Sequence, residues 1–503
     1  MAHFVSPADA KVWQQARDAT KAFRNKDALA LYQKLVKKNP HHGVLWYELG
    51  SSAKKMIDNV QASRAFRKAR QYFDGNGKLA AYIAHGFASI TMLDESQECF
   101  RTALKHDPSS LESLYSLIKS YEKSGKIDEA RAYLEPFLQT QASDEHVMHL
   151  DAYLDYRGGN LERAESGIRA VIEKQPQNPQ VLSTSHYILA DILDKTERYD
   201  EAITCLQQYK LPVLQTEKMQ NTLISYDLGV AERSKLFDSF STALIEQWQR
   251  AADLSSDKEK QMTFLGGHPR SGTTLLERVL DSHPDITAFD EPDAFNKTAD
   301  SFLRKFGPDH RGVATIPDYY RQQLFWQLGG EKPAKVIIDK NPSLTACLHS
   351  WLRVFPGMKT IIALRHPLDV MVSTYFLNVA TNSLSCNFLS FERICKHYRD
   401  MMEIWIRLRD MGGFSWIESR YEDTVQDIHK EGARVTEFLG LTWDPSQAEF
   451  HTKKQQTHVG APTYHDVTKP LHQKSVQRWM SYEKYLAPSI EEMKPFIREF
   501  GYE

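Results

Sequence analysis

The sequence predicts an α-helical repeat solenoid followed by an α/β domain with a central parallel sheet. In the first half, small residues recur with a period near 34, and in the second half short apolar runs alternate with helical segments. The length of 503 residues also exceeds the roughly 250–300 at which one hydrophobic core stops growing. We therefore expect a repeat array at 1–215, a helical linker at 216–260 and an α/β domain at 261–503.

The composition excludes several classes of protein. Hydrophobic residues make up 41% and charged residues 25% of the chain, as in ordinary soluble globular proteins. Lys and Arg total 63 against 65 Asp and Glu, so bulk charge indicates no nucleic-acid partner. No stretch approaches the roughly 18 apolar residues of a membrane span, and the first residues lack a signal-peptide pattern. We expect a cytoplasmic protein without a membrane span.

The repeat is defined by small residues whose spacings are 34, 34, 34, 34 and 38. They are Ala28, Ala62, Ser96, Ala130, Ala164 and Ala202. Larger apolar side chains follow four residues after each, which is the packing face of the second helix in a two-helix unit. This pattern resembles the tetratricopeptide repeat, in about six copies. Because such repeats stack into a curved array, we expect a groove that binds a protein or peptide partner or a second copy. The alternative is an array that only stabilises the domain behind it.

The second half begins with a turn that is suited to an anion. An apolar run ends at Gly267, the turn runs to Gly272, and a helical segment follows. In such a strand–turn–helix unit, main-chain N–H groups point at a bound anion, and nearby hydroxyls add donors. Compared with the pattern G-x-x-x-x-G-K-S/T, the lysine position holds Thr273, which disfavours a Walker-type ATPase. The cation of this turn is Arg270, whose guanidinium can hold a tetrahedral oxyanion.

Two further apolar runs predict buried parallel strands that end in cations. KVIIDK ends at Lys340 and KTIIALR ends at Arg365, and Ser373 lies about two turns along the helix predicted after the second run. Because parallel strands present their carboxyl ends at one edge, Arg270, Lys340 and Arg365 should meet there around an anionic ligand. The alternatives are that Lys340 is a solvated strand end and that Arg365 pairs with Asp369.

These segments together resemble a known enzyme family. PRSGTT and ALRHPLDVMVSTY are similar to the 5′-phosphosulfate and 3′-phosphate motifs of sulfotransferases that use 3′-phosphoadenosine 5′-phosphosulfate (PAPS). HPDITAFDEP, DKNP and SRYEDTVQD look most like the tyrosylprotein branch, and the resemblance spans about 261–482. It implies a P-loop-like sulfotransferase domain, PAPS as co-substrate, no metal, and an acceptor hydroxyl. Protein tyrosine is a candidate acceptor; other peptides, carbohydrates, lipids and small phenols stay open.

The resemblance also implies roles for individual residues. The 5′-phosphosulfate would be bound by Arg270, Ser271, Gly272, Thr273 and Thr274. The 3′-phosphate would be held by Arg365 and Ser373, with Tyr421 near the nucleotide. A late loop would add Lys469, Ser475, Arg478 and Trp479. Glu291 would be the general base, with Asp290 as the competing carboxylate, and Arg270 and Lys340 would neutralise charge on the transferred group. Thr463 falls near a serine that is catalytic in the tyrosylprotein branch.

Two other functions compete with sulfuryl transfer. An ATP-dependent kinase is disfavoured by Thr273 and by the lack of a clear carboxylate motif for Mg²⁺. A repeat scaffold with a catalytically idle nucleotide-binding domain is disfavoured because the candidate site residues are all present.

Overall fold

The structure is a computed structural model that describes residues 5–56, 58–238, 240–251, 262–292, 316–326, 328, 334–452 and 473–503. By its internal contacts the chain divides into two compact units, Met1–Thr196 and Glu197–Glu503. The domain boundaries predicted from the sequence at 215 and 260 stay predictions. In the described residues, every helix is too short or too polar to cross a membrane.

The first unit consists of helices that pair with their neighbours along the chain. Its helices are α1 (Pro7–Lys21), α2 (Asn25–Lys38), α3 (Gly43–Lys55), α4 (Asn59–Gln71), α5 (Gly77–Ser89), α6 (Leu93–His106), α7 (Leu111–Lys123), α8 (Ile127–Gln141), α9 (Glu145–Arg157), α10 (Leu161–Glu173) and α11 (Pro179–Lys195). The small residues from Ala28 to Ala164 lie on the second helix of their pairs and are fully buried, and Ala202 is buried on the helix that begins at Tyr199. The 34-residue period therefore predicted the helix pairs correctly.

Small residues are needed where neighbouring helices approach a large ring. A Cβ on Gly50 would lie 2.5 Å from the Phe66 ring, and one on Gly86 would lie 2.8 Å from it. Phe66 itself is 1% exposed and packs edge-on against Phe87 at a centroid distance of 5.7 Å. Close packing of this kind leaves no room for an added methyl group.

The second unit begins with three helices, α12 (Tyr199–Leu214), α13 (Glu217–Phe237) and α14 (Thr242–Ala251). The sequence analysis assigned α12 to the repeat array and α13 and α14 to the linker. All three are helical, and by its contacts α12 belongs to the second unit. At its start, Asp200 accepts from Lys484 at 2.7 Å and from the Tyr485 hydroxyl at 3.0 Å.

The second unit is built on a five-stranded parallel sheet with strand order β2-β3-β1-β4-β5. The strands are β1 (Met262–Gly267), β2 (Ile286–Asp290), β3 (Val336–Lys340), β4 (Lys359–Leu364) and β5 (Ser415–Arg420). The helices are α15 (Thr273–Asp281), α16 (Ile316–Trp326), α17 (Leu348–Val354), α18 (Pro367–Tyr375), α19 (Phe391–Met411), α20 (Tyr421–Gln426), α21 (Ile428–Phe438) and α22 (Glu483–Glu499). Short 3₁₀ turns include Pro342–Cys347, Ser385–Leu389 and Arg478–Tyr482.

The strand order places a ligand crevice beside β1. The chain runs from β1 to the outer β2, returns to β3, and then crosses to β4 on the other side of β1. In open parallel sheets, ligands bind at the carboxyl ends of the strands where the order reverses. Buried side chains such as Leu265, Ile338 and Ile361 form the core beneath this edge. The predicted α/β fold with a parallel sheet is therefore confirmed.

Candidate active site

The turn after β1 has a backbone that few residues can adopt. Gly267 has a φ of 122°, and a Cβ there would lie 2.2 Å from the carbonyl oxygen of Ala363. Gly272 has a φ of 87°, and Arg270, although it carries a side chain, has a φ of 76°. Such positive values are strained for a residue other than glycine and are concentrated at functional sites.

The turn leads into the N-terminus of α15, where Gly272 provides no side-chain cap. The first N–H groups of a helix have no partner within it, and the helix dipole makes this end favourable for a negative charge. Ser271, Thr273 and Thr274 are all buried here. Donors of this kind suit a phosphate-like group, and the binding of such a group by these residues stays a prediction.

The side chains of the turn and of α18 are directly connected. Arg270 Nε donates to Ser373 Oγ at 2.9 Å. Arg365, which follows β4, donates from its two terminal nitrogens to the carbonyl oxygens of Arg270 at 3.3 Å and Ser475 at 2.6 Å. The Arg365 guanidinium thus contacts two residues that are 95 and 110 positions away from it in the sequence.

Arg365 is suited to an anionic oxygen by two further features. Its side chain is 6% exposed, and its Nε is buried with no hydrogen-bond partner among the described residues. A buried N–H without an acceptor is costly, and a ligand oxygen would satisfy it. The guanidinium carbon lies 5.0 Å from the centre of the Tyr421 ring. Tyr421 also approaches the turn closely, because a Cβ on Gly272 would lie 2.7 Å from its Cδ2.

The segment after residue 472 is tied to the start of α18. The Asp369 carboxylate accepts from the main-chain N–H groups of Gln477 and Trp479, both at 2.8 Å. The Trp479 ring stacks on His366 at 5.3 Å. Burial raises the pKa of Asp369, although Arg365 and the two N–H groups oppose the shift. Asp369 therefore anchors this segment in addition to lying near Arg365.

The other residues predicted for the late loop have different outcomes. The Arg478 guanidinium lies 4.6 Å from the centre of the Phe376 ring and 5.8 Å from that of Tyr482. Lys469 and Thr463 lie outside the described residues.

Lys340 forms a second cluster, at the carboxyl end of β3. Its side chain is fully buried, and its Nζ pairs with Asp290 and, at 3.0 Å, with Glu291. Burial by itself would lower the pKa of Lys340, but the carboxylates of Asp290, Glu291 and Glu277 outweigh it, and the net shift is upward. Lys340 is therefore a buried ammonium and not a solvated strand end.

The two competing carboxylates differ in exposure. The side chain of Asp290 is 2% exposed, whereas that of Glu291 is 39% exposed. Glu291 also has a φ of 47°, which is unusual for a glutamate, and its N–H donates to the carbonyl oxygen of Lys340 at 2.8 Å. A general base must reach the substrate, so exposure favours Glu291.

Two buried acids next to Lys340 were missed by the sequence analysis. Glu277 on α15 is 2% exposed, and burial raises its pKa to about 8. Burial also raises the pKa of Asp339 well above its ordinary value, and the Tyr320 hydroxyl donates to its carboxylate. In the sequence these residues look like an ordinary helix acid and a strand end, so only packing reveals them.

The turn is supported from beneath by two side chains that no motif indicated. The Thr345 hydroxyl bonds to both the N–H and the carbonyl oxygen of Gly267, each at 2.8 Å. His268 Nε2 lies 2.8 Å from His397 Nδ1, and both rings are buried. His268 Nδ1 lies 2.7 Å from the carbonyl oxygen of Pro269 and must donate to it. His268 Nε2 is then the acceptor, and His397 is the donor of this pair.

Comparison with known proteins agrees with this architecture. A sequence model described as the sulfotransferase family matches residues 263–445, and tetratricopeptide repeat models match 93–145 and 183–209. The chain carries tetratricopeptide repeats and a sulfotransferase-family domain. The matched sulfotransferase segment contains Arg270, Arg365, Ser373 and the Lys340 cluster, whereas Ser475 and Trp479 follow it in the chain.

Individual relatives of this chain are distant. An uncharacterized protein of Aquifex aeolicus is 25% identical over 461 residues, which are 88% of this chain and 56% of that protein's length. Protein-tyrosine sulfotransferase 2 of Gallus gallus is 22% identical over 49% of this chain and 70% of its own length. The solved sulfotransferase domain of the Synechococcus PCC 7002 olefin synthase, 20% identical, covers 47% of this chain and 94% of its own, with a TM-score of 0.33.

Proposed function

We propose that this protein transfers a sulfuryl group from PAPS to an acceptor hydroxyl, with protein tyrosine as the first acceptor to test. The observation that carries the proposal is the connection of Arg270, Ser373 and Arg365 at the carboxyl ends of β1 and β4. One end of this network lies at the N-terminus of α15, and the other lies on α18, the helix that follows β4. A nucleotide with phosphate groups at its 5′ and 3′ positions would use these two ends as its anion subsites.

The same residues would hold the co-substrate. The turn from Arg270 to Thr274 and the α15 N-terminus would bind the 5′ group, and Arg365 with Ser373 would bind the 3′-phosphate. Tyr421, Ser475, Arg478, Trp479 and Lys469 complete the proposed nucleotide contacts. Bound PAPS would supply the sulfuryl group, and no metal is required by the proposal.

Glu291 would take the proton from the acceptor hydroxyl. It is the exposed carboxylate of the Lys340 cluster, and one base within reach of the acceptor is what this chemistry needs. Lys340 and Arg270 would neutralise the charge that develops on the transferred group and the leaving oxygen, as cations do in phosphoryl transfer. The repeats would recruit the acceptor or a protein partner.

The proposal is tested first by nucleotide binding. Adenosine 3′,5′-bisphosphate (PAP), the product nucleotide, should raise the melting temperature of the full chain, and ATP with Mg²⁺ should raise it less. The reverse order would favour a kinase, and no stabilisation by either nucleotide would favour a scaffold with an idle domain. Incubation with labelled PAPS and cell extract, followed by identification of the labelled product, then tests transfer and names the acceptor. No labelled product in any fraction would refute transfer.

A further inference from the structure

A buried lysine outside the candidate site contacts the helix that carries Ser373. Lys210 lies on α12 and has a fully buried side chain. Its Nζ donates to the carbonyl oxygens of Tyr375 at 2.5 Å and Phe388 at 2.7 Å. It also lies 3.7 Å from the centre of the Tyr375 ring. Burial lowers the pKa of Lys210 well below its ordinary value, but even a neutral amine has two N–H groups for two carbonyl oxygens.

The two acceptors identify what Lys210 holds. Tyr375 is the last residue of α18, two positions after Ser373, and Phe388 lies in the 3₁₀ turn that precedes α19. The last carbonyl groups of a helix have no intrahelical donor, and a donor there stabilises the helix end. Lys210 therefore satisfies the end of α18 and joins it to the turn.

Helix α13 contacts the same 3₁₀ turn, Ser385–Leu389, through Arg393 on α19. The Arg393 guanidinium donates to the Asn387 side-chain oxygen at 2.7 Å and, through both terminal nitrogens, to the Asp227 carboxylate of α13 at 3.0 and 3.1 Å. Apolar side chains of α13 and of the turn form one buried cluster, which includes Met219, Leu223, Cys386 and Leu389. The contacts of α12 and α13 thus meet at the segment after α18.

We propose that Lys210 and Asp227 are positioning residues for the 3′-phosphate subsite, so that α12 and α13 are working parts of the nucleotide site. This inference rests on the proposed function. Lys210 holds the end of α18 directly, and Asp227 holds the following turn through Arg393. The 5′ subsite is built on β1 and α15 and meets α18 through the Arg270–Ser373 hydrogen bond, so it should depend on these two residues less than the 3′ subsite does.

The test compares two nucleotides that differ only in the 3′-phosphate. Affinities of PAP and AMP are measured by titration calorimetry on the full chain, for the wild type, Lys210→Met and Lys484→Met. Methionine keeps the length of the lysine side chain but has no N–H. Lys484 is the control, because its side chain is 62% exposed and its ion pair with α12 is made to Asp200. We expect Lys210→Met to weaken PAP binding by about 10–100-fold, the loss expected for buried hydrogen bonds, and to weaken AMP binding much less. Lys484→Met should change neither affinity.

The outcomes separate the inference from the proposed function. If the wild type binds PAP no more tightly than AMP, the proposed 3′-phosphate subsite is wrong, and the inference falls with it. If the wild type prefers PAP and folded Lys210→Met keeps the same preference, the inference alone is wrong. If near-ultraviolet circular dichroism shows that Lys210→Met does not fold, Asp227→Asn is the variant that tests the inference, because the Asp227 side chain is 40% exposed. Asp227→Asn should weaken PAP binding by about threefold and AMP binding less. If the ratio of PAP to AMP affinity matches that of the wild type, the inference is wrong.

Discussion

At the carboxyl edge of the sheet, Arg270 and Arg365 donate to a hydroxyl and to main-chain carbonyl oxygens, whereas Lys340 pairs with two carboxylates. The acceptors of these hydrogen bonds carry no formal charge, so the contacts orient the two guanidinium groups. The Lys340 cluster has its opposite charges already in place. Three cations that look equivalent in the sequence therefore differ in what they can offer to an anion.

The contrast suggests a division of roles between the two clusters. Arg270 and Arg365, the arginine side, should provide most of the binding energy for a nucleotide anion. The Lys340 side should matter mainly in the transition state, when a proton leaves the acceptor for Glu291 and the charge of the cluster changes. Variants on the two sides should then affect binding and turnover differently.

The largest expected effect comes from removing one cation from each cluster, Arg270 from the arginine side and Lys340 from the other. Arg270→Ala should lower turnover by about 10²–10⁴-fold and also weaken PAP binding, because the proposed function places its charge against the nucleotide. Lys340→Met should lower turnover by a similar factor, about 10²–10⁴-fold, with a much smaller change in PAP affinity. Steady-state kinetics with labelled PAPS and calorimetry with PAP measure both quantities. Arg498→Ala, at the exposed end of α22, is the control. Equal losses of PAP affinity in both variants would remove the contrast.

The next effect distinguishes the two carboxylates of the Lys340 cluster. Glu291→Gln should lower turnover by about 10²–10⁴-fold with little change in PAP affinity, because glutamine has the shape of glutamate but cannot act as the base. Asp290→Asn should have a smaller effect on turnover, since its carboxylate is 2% exposed and pairs with Lys340. Both variants are assayed at saturating PAPS. If Asp290→Asn is the more damaging change, Asp290 is the base.

The smallest expected effect is on how stability depends on pH. The dependence should have opposite signs for His268 in the turn and for Glu277 in the Lys340 cluster. Burial lowers the pKa of His268 to about 4, so the unfolded chain binds its proton first, and stability falls as pH drops from about 6.5 toward 4. Burial raises the pKa of Glu277 to about 8, so the folded chain keeps its proton longer, and stability falls as pH rises from about 4.5 toward 8. Each slope is at most about 1.4 kcal/mol per pH unit.

Denaturant unfolding of the full chain between pH 5 and 8 measures these slopes. Glu277→Gln should lessen the loss of stability toward pH 8, and His268→Gln should lessen the loss toward pH 5. Slopes that match the wild type in both variants would contradict the assignment of either buried group as the source.

Much of the fold follows from local patterns. The 34-residue period predicted the helix pairs because each pair buries the same small residue, as at Ala62 and Ala130, against its own partner helix. The turn from Gly267 to Gly272 was recognisable because its glycines, strand and helix are contiguous. The sequence analysis did not find the support given by Thr345 or the His268–His397 pair, since no motif joins residues 78 or 129 positions apart.

The sequence by itself determined the repeat, the parallel sheet and the edge at which the cations lie, because these depend on residues close together in the chain. Only the tertiary structure decided the partners of each cation. Lys340 meets Glu291 across 49 positions, Arg270 meets Ser373 across 103, and Lys210 meets Phe388 across 178. A charge takes its function from its neighbours, and in this protein those neighbours are brought together by packing and not by sequence spacing.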